Sequence, residues 1–280
     1  MQLSVIHTTY NREEHLKAIL PRFELNAYRH PEIDFELIIL DGGSSDRTKD
    51  VTLEFMNRET VKTKYVHVGF GKWTNPSLPR NIALRHVEGR IGCTMDADHW
   101  VGQDFVSGAY RAFQDKSDNV ISLAMVKDSN KAKIPWIKVN EALLNPLMEK
   151  NCNILEFYEF VGIPVASTHS AWIVSYPMNV ARKIGGYCES FSGGNWGRDE
   201  DIFLLMMQRF LRITKEYYKE FAAIHLCHEV KRFNIERNSN HNHNIFAEKR
   251  DNLMRTIAEN SATNWGQVPE GVEYYVERNF

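Results

Sequence analysis

At 280 residues, 43% of them apolar and 25% charged, the chain is long enough to bury a full core as one large domain or two lobes. A formal net charge of −2 gives no electrostatic footing for nucleic acid or for a polybasic membrane contact. Four scattered cysteines (Cys93, Cys152, Cys188, Cys227) include no C-x-x-C pair, so neither a zinc ribbon nor a disulfide framework is suggested and a reducing compartment fits.

The amino-terminal "MQLSVIHTTYN" lacks a basic n-region and reads as neither a signal peptide nor an anchor. No run of about 18 apolar residues occurs, so no membrane span is expected and a cytoplasmic location follows. "LSVIHT" (3–8) reads as a buried strand, and "NREEHLKAILPRFELNA" (11–27) carries helical spacing in Leu16, Ile19 and Leu20. "FELIIL" (35–40) is a second strand, closed by the turn-rich "DGGSSD"; "RTKDVTLEFMNRE" (47–59) is a helix capped by Ser45 or Asp46. "KYVHVGF", "PSLPRNIALRHV" and "RIGCTMD" continue as strand, helix and strand. This alternation predicts an α/β chain with a mostly parallel central sheet flanked by helices. The polar clusters "HTTYNR", "DGGSSD" and "DADHW" each follow a strand directly, where ligands gather in such sheets.

Beyond residue 105 the pattern loosens. "DFVSGAYRAFQD" is expected helical, "NVISLAMV" a strand, "KDSNKAKIP" a loop, and 140–160 helical with a break at Pro146. "STHSAWIVS" is a further strand, followed by a helix ending on Gly185 and Gly186. "FAAIHLCHEVKRFNIERNSNHNHN" (221–244) reads as a strand and then a polar loop, with a helix and tail to the end. The organisation expected is a nucleotide-binding lobe over 1–104, an acceptor-binding and catalytic lobe over 105–246, and a tail over 247–280, together one two-lobed unit.

Five groups carry candidate chemistry. Asp96 and Asp98 at a strand end suit a hard cation such as Mg²⁺ or Mn²⁺, although a solvated turn explains a lone D-x-D as often. Asp41, beside Gly42 and Gly43, could accept from a base or ribose. Arg80 begins a helix, where a guanidinium and free amides meet phosphate. Asp199, Glu200 and Asp201 open a helix whose dipole favours acids, yet beside Trp196 they also suit sugar binding and proton abstraction. His225 and His228 lie three apart after an apolar run and could complete a metal site; His241 and His243 read as a polar surface loop.

In order, "SVIHTTYNR", "IILDGGSSDRT", "PRNIAL", "MDADHW", "GGYCESF", "NWGRDED" and "HLCHE" resemble the motifs of nucleotide-sugar-dependent glycosyltransferases of the type-A fold. The likeness is to the large family-two inverting group, over about residues 3 to 246, with a W-G-x-E-D-like acceptor motif shared with galactosyltransferases. The resemblance implies that Thr8, Tyr10, Arg12 and Asp41 line the base and ribose site, with Arg80 near the nucleotide. It implies Asp98 as a direct metal ligand, Asp96 facing ribose or metal-bound water, His228 completing the site and His225 as an extra ligand. His99 stands just past the pair, where it could touch metal or donor or simply pack in the turn. Trp196 and Trp172 would offer aromatic faces to a sugar. Counting from Trp196 makes Glu200 the catalytic base, the choice favoured on spacing, while matching the final aspartate before "IF" suggests Asp199 or Asp201. Gly42 departs from the family's usual second aspartate. The implied reaction is metal-dependent transfer from a nucleoside diphosphate sugar, UDP favoured, to an acceptor hydroxyl with inversion. A retaining transferase of the same fold and a catalytically silent nucleotide-sugar-binding module are the alternatives; an aspartyl phosphatase fits "DGGSSD" poorly.

Overall fold

The computed structural model describes residues 1–70, 76–115, 120–128, 168–191, 198–213, 220–226, 235–262 and 264–280. The first half alternates as expected: β1 (Leu3–Thr9), α1 (Glu13–Arg29), β2 (Phe35–Asp41), α2 (Thr48–Met56), β3 (Lys62–Val68), α3 (Ser77–Arg85) and β4 (Ile91–Asp96). Then follow β5 (His99–Val101), α4 (Phe105–Asp115), β6 (Val120–Asp128), β7 (Thr168–Pro177), α5 (Met178–Lys183) and α6 (Asp199–Met207). β8 (Arg212–Ile213), β9 (Ala222–His225), α7 (Ile235–Asp251), α8 (Leu253–Ala262) and β10 (Tyr274–Arg278) complete the chain. The expected helix over 140–160 lies outside the described residues.

One sheet runs β10-β3-β2-β1-β4-β7-β6-β9-β5, with β8 paired to β6. β3, β2, β1 and β4 are mutually parallel, while β7 and β10 join antiparallel. Both faces of this parallel core are covered, which is why its strands read as continuous apolar runs. Val5, Leu37 and Ile39 point to the layer of α1, α2 and α4, and Ile6, Ile38 and Leu40 to that of α3, α5 and α6. α1 buries Leu16, Ile19, Leu20 and Phe23, the stripe that helical spacing demands. Arg47 rather than Ser45 or Asp46 stands at the N-cap of α2, and Asp46 just before it accepts from Thr48 N at 3.0 Å through its Oδ1.

Two stretches differ from the sequence reading. The polar run "ERNSNHNHN" is helical within α7, with Asn242 buried and His243 exposed. Packing of a helix onto its neighbours has overridden the low helical propensity of its asparagines. The tail, read only as helix and coil, returns as β10 and pairs Tyr274–Arg278 with Val68–Lys64 along the edge of the first lobe. Asn279 then ties it down, accepting from Thr63 N at 2.7 Å and donating to Met56 O at 2.9 Å.

At the amino ends of the parallel strands lies a buried ionic group. Lys64 Nζ sits 2.9 Å from Glu36 Oε2 and 2.6 Å from Glu88 Oε1, and donates to His86 O at 2.8 Å. Lys64 and Glu36 are both fully buried. Removing one partner of such a pair leaves an uncompensated charge. Lys64→Met is therefore expected to lower stability by about 3–5 kcal/mol. Urea unfolding measures the loss, and adding Glu36→Gln should recover a substantial part of it.

Candidate functional site

Register brings the carboxyl ends of three parallel strands together: Thr9 pairs with Asp41, and Thr8 with Asp96. The loops beyond β1 and β2 are stitched to each other. Asn11, in a left-handed conformation at φ 52°, donates its backbone N–H to Ser44 Oγ at 2.8 Å and accepts from Ser45 N at 2.8 Å through its side chain. Arg12 N donates to Thr48 Oγ1, and Glu13 N to Asp46 Oδ2. These bonds open the "TTYNR" loop toward a cleft shared with Arg80, Asp96, Asp98 and Glu200.

One wall is organised by Arg80 of α3, which is 2% exposed. Its guanidinium donates to Asp199 Oδ2 at 2.8 Å, Asp96 Oδ1 at 2.9 Å and Glu200 Oε1 at 2.5 Å. It also lies over the Tyr187 ring, 5.3 Å from the centroid. Burial opposes charge on Arg80, but Glu200, Asp96 and Asp199 together keep it firmly protonated. Burial also pushes Glu200 up to about 8 against the pull of Arg80, with Asp199 and Asp96 adding repulsion. Asp199, deeper, is raised for the same first reason. A carboxylate tuned toward neutrality on the wall of a cleft is the form a general base takes.

The other wall carries Asp98. Its Oδ2 lies 3.7 Å from the Arg12 guanidinium, and its Oδ1 lies 3.3 Å from His99 Nδ1 and 3.8 Å from His225 Nε2. β5 pairs antiparallel with β9 and sets His99 directly opposite His225. Asp96, Asp98 and His99 each offer a ligand atom within 4.8 Å of the others. With Asp199 and Glu200, four carboxylates face two guanidiniums, leaving the ionised cleft a formal −2. Oxygen and imidazole donors around an excess of negative charge fit a divalent cation.

The expected site residues fall into three groups. Thr8, Tyr10, Arg12, Arg80, Asp96, Asp98, Asp199, Glu200 and His225 all line the cleft. Asp41 and Asp201 do not. Asp41 is buried and its carboxylate accepts from Ser44 N and Oγ and, at 2.6 Å, from Tyr65 OH, so it holds the loop in place. The Asp201 side chain is 45% exposed and pairs with Arg198 at 3.0 Å, because two steps along a helix from Asp199 turn a side chain to the opposite face. Trp196 and His228 lie outside the described residues, as does the side chain of Trp172 on β7. Two residues emerge here with stronger positions than the sequence suggested. His99 becomes a cross-strand partner of His225, which only a long-range pairing reveals. His7, fully buried on β1, lies close enough to His99 and Asp98 to feel both charges, and its ring stands edge-on to Phe23 at 5.3 Å.

The model of glycosyl transferase family 2 matches residues 4–174. The chain belongs to this family. Among curated proteins it is 27% identical over 135 residues to the poly(ribitol-phosphate) β-N-acetylglucosaminyltransferase TarS of Staphylococcus aureus, covering 48% of this chain and 22% of that one. It is 27% identical over 139 residues to the poly(ribitol-phosphate) β-glucosyltransferase of Bacillus spizizenii, covering 48% and 20%. The alignments thus take in about a fifth of the length of these relatives. The fold resembles S. aureus TarS 1–349 in complex with UDP-GlcNAc at a TM-score of 0.58 and 19% identity, over 93% of this chain and 66% of that one. It also resembles the mannosyltransferase PcManGT of Pyrobaculum calidifontis in complex with GDP-Man and Mn²⁺, at 0.53 and 15%, over 96% and 66%. This family-two chain has the type-A glycosyltransferase fold. Among the described residues no helix is long and apolar enough to cross a membrane.

His7 supplies a test of the site's interior. Burial, reinforced by His99, pushes its pKa from 6.5 down to about 3, while Asp98 opposes. The native ring stays neutral where the unfolded ring binds a proton, so stability falls as pH drops below 6.5 toward 3. The slope is at most about 1.4 kcal/mol per pH unit from this one group. In chelator-treated protein, denaturant unfolding of His7→Leu should show a shallower acid loss than the parent.

Proposed function

We propose that this chain transfers a glycosyl group from a nucleoside diphosphate sugar, a UDP-sugar foremost, to an acceptor hydroxyl with inversion and with help from a divalent cation. The observation that carries the reading is a single cleft in which Asp96 and Asp98 face Glu200, with Arg80 bonded to both sides. Family membership supports sugar transfer, and a UDP complex and a UDP-GlcNAc complex of a similar fold support the donor class. UDP-GlcNAc carries its sugar in α linkage, so the β product in the name of TarS is the outcome of inversion; sequence similarity to that relative, not the fold, which retaining transferases share, supports the same course here.

In this reading residues 1–104 bind the donor. Thr8 and Tyr10 line the nucleotide pocket, and Arg12 meets the diphosphate. Asp41 acts through Tyr65 and Ser44 by fixing the loop. Asp98 and Asp96, with His99 and His225 beside them and His228 as a further candidate from the sequence, would hold Mn²⁺ or Mg²⁺. Such an ion supplies Lewis-acid compensation for charge on a departing diphosphate. The remaining chemistry belongs to the chain. Glu200 takes the proton of the acceptor hydroxyl, so that the oxygen attacks the anomeric carbon from the face opposite the leaving group. Arg80 aims Glu200, and Asp199 anchors Arg80 from below. Trp196 and Trp172 would stack on acceptor or donor sugar. Residues 105–246 supply the acceptor side.

The silent-module alternative would have no use for a base. Glu200, raised to about 8 and bonded to the one arginine that also reaches Asp96, is instead arranged for proton transfer. Glu200→Gln should reduce transfer from UDP-sugars by about 10²-fold or more while leaving UDP affinity within a few-fold. Asp201→Asn should leave the rate nearly unchanged. Because the base must be ionised, kcat/KM should rise with pH up to about 8 and lose that acid limb in Glu200→Gln. A pH profile with an acid limb in the ordinary carboxylate range, or full activity in Glu200→Gln, would remove Glu200 from this role. Product anomer determination by NMR tests inversion separately.

A further inference from the structure

We propose that the carboxyl-terminal strand β10 is a working part of the donor site, in which Tyr275 is a positioning residue for the loop that carries Tyr10 and Arg12. The inference rests on the donor-binding reading above. It extends that reading to a strand outside residues 4–174, the span matched by the family model.

The geometry begins with a row across three strands. Register sets Asp41 of β2 opposite His67 of β3, and His67 opposite Tyr275 of β10. The Tyr275 ring stacks on His67 with centroids 4.7 Å apart and planes 15° from parallel. It also leans on Tyr65, at 6.2 Å between centroids, and Lys49 Nζ of α2 stands 4.8 Å from its own centroid.

Tyr65 links this row to the site. Without β10, β3 would be the edge of the sheet, and Tyr65, now fully buried, would lose the ring that covers it. The Tyr65 hydroxyl donates to Asp41 Oδ2 at 2.6 Å, a bond that gains strength where water is kept out. Among the described residues, the other donors to that carboxylate are Ser44 N and Oγ. Ser44 Oγ in turn accepts from Asn11 N, between Tyr10 and Arg12 on the cleft wall. A second tie runs along the strand ends. Gly69 N donates to Glu273 O at 2.8 Å, and the next residue, Phe70, bounds the open side of Gly42 together with Tyr10. The carboxyl-terminal strand thus seals the tyrosine that fixes the carboxylate on which the donor-facing loop is hung. A loop held in place beforehand loses less freedom when the donor binds.

Calorimetric titration of the full chain with UDP, in the presence of Mn²⁺, tests the inference. Tyr275→Ala should weaken UDP binding by about five- to tenfold, the worth of a lost aromatic pair. The KM for the UDP-sugar should rise with kcat unchanged, since only binding is affected. Tyr275→Phe, which keeps the ring, should bind UDP as the parent does. Tyr274→Phe, which removes the hydroxyl facing His86 Nε2 on the other side of the strand, should change nothing. Action through Tyr65 has its own signature: Tyr65→Phe should weaken UDP binding similarly, and adding Tyr275→Ala to it should weaken it little further. Additive losses, an equal loss in Tyr274→Phe, or unchanged affinity in Tyr275→Ala would overturn the inference and leave the donor reading intact. A parent that binds no UDP overturns both. Where Tyr275→Ala does not fold, by its melting transition, Tyr275→Leu keeps apolar cover on β3, loses the ring and carries the same expected and overturning results.

Discussion

The guanidinium of Arg80 is the charge on which the site is assembled. Three carboxylates converge on it from two elements distant in sequence, β4 and α6, and without it they would repel at close range in a buried setting. Its own position is over-determined. Asn81, the next residue on α3, donates to Tyr187 O and accepts from Tyr187 N, and the Tyr187 ring lies beneath the guanidinium while stacking on Phe203 of α6. Arg80, Tyr187 and α6 are therefore packed as one unit. Glu200 is held on a packed wall, which suits the proposed role of a base that meets an acceptor in one orientation.

The carboxyl-terminal segment belongs to that wall more than to a separate tail. Asn260 of α8 donates to the carbonyls of Ile184, Gly185 and Gly186, and Gly266 N donates to Glu189, which also accepts from Asn81. Gly185 and Gly186 adopt φ of 78° and 69°, and a Cβ on Gly186 would stand 2.3 Å from Asn81 Oδ1. This turn therefore admits only glycine. A contact network running from residue 266 through Glu189 to Asn81, beside Arg80, explains why a strand and loop so far along the chain pack on the first lobe. The sheet then has two ends with different duties. The amino ends of the strands hold the sealed Lys64–Glu36 pair, while the carboxyl ends hold charges left open to a ligand.

Local pattern made much of this legible. The alternation of β1 to β4 with α1 to α3 follows from apolar periodicity, and the polar clusters after β1 and β4 mark the cleft in the sequence itself. What stayed hidden depends on contacts between distant residues. β5 has three residues and no pattern of its own, so its pairing with β9 and the meeting of His99 with His225 leave no local trace. β10 and the helical state of "ERNSNHNHN" are likewise decided by what they pack against. Within "DED" the acids are chemically alike, and only the rotation of α6 turns Asp199 and Glu200 inward and Asp201 to solvent. Gly42 shows the converse. A Cβ there would meet only ordinary contacts, so its departure from the family's usual aspartate answers no backbone demand, whereas neighbouring Gly43 needs its φ of 89°.

The two aspartates of "DADHW" pose an electrostatic problem, since like charges two residues apart at a strand end disfavour each other. The fold separates their partners. Asp96 turns to Arg80 and Thr8, and Asp98 to Arg12, His99 and His225. Each carboxylate thus has its own counter-charge, but the balance is incomplete, because Arg80 is shared with Asp199 and Glu200. The residual negative charge lies between the loop that carries Arg12 and the helix that carries Glu200, the space a cation and a diphosphate would divide between them. A cation drawn there would also relieve the repulsion that Asp199 and Asp96 add to the effect of burial on Glu200, drawing its pKa down. Under the proposed function, binding of the charged donor and readiness of Glu200 as base are then linked electrostatically, and Arg80, bonded to both Asp96 and Glu200, is the residue through which the link passes.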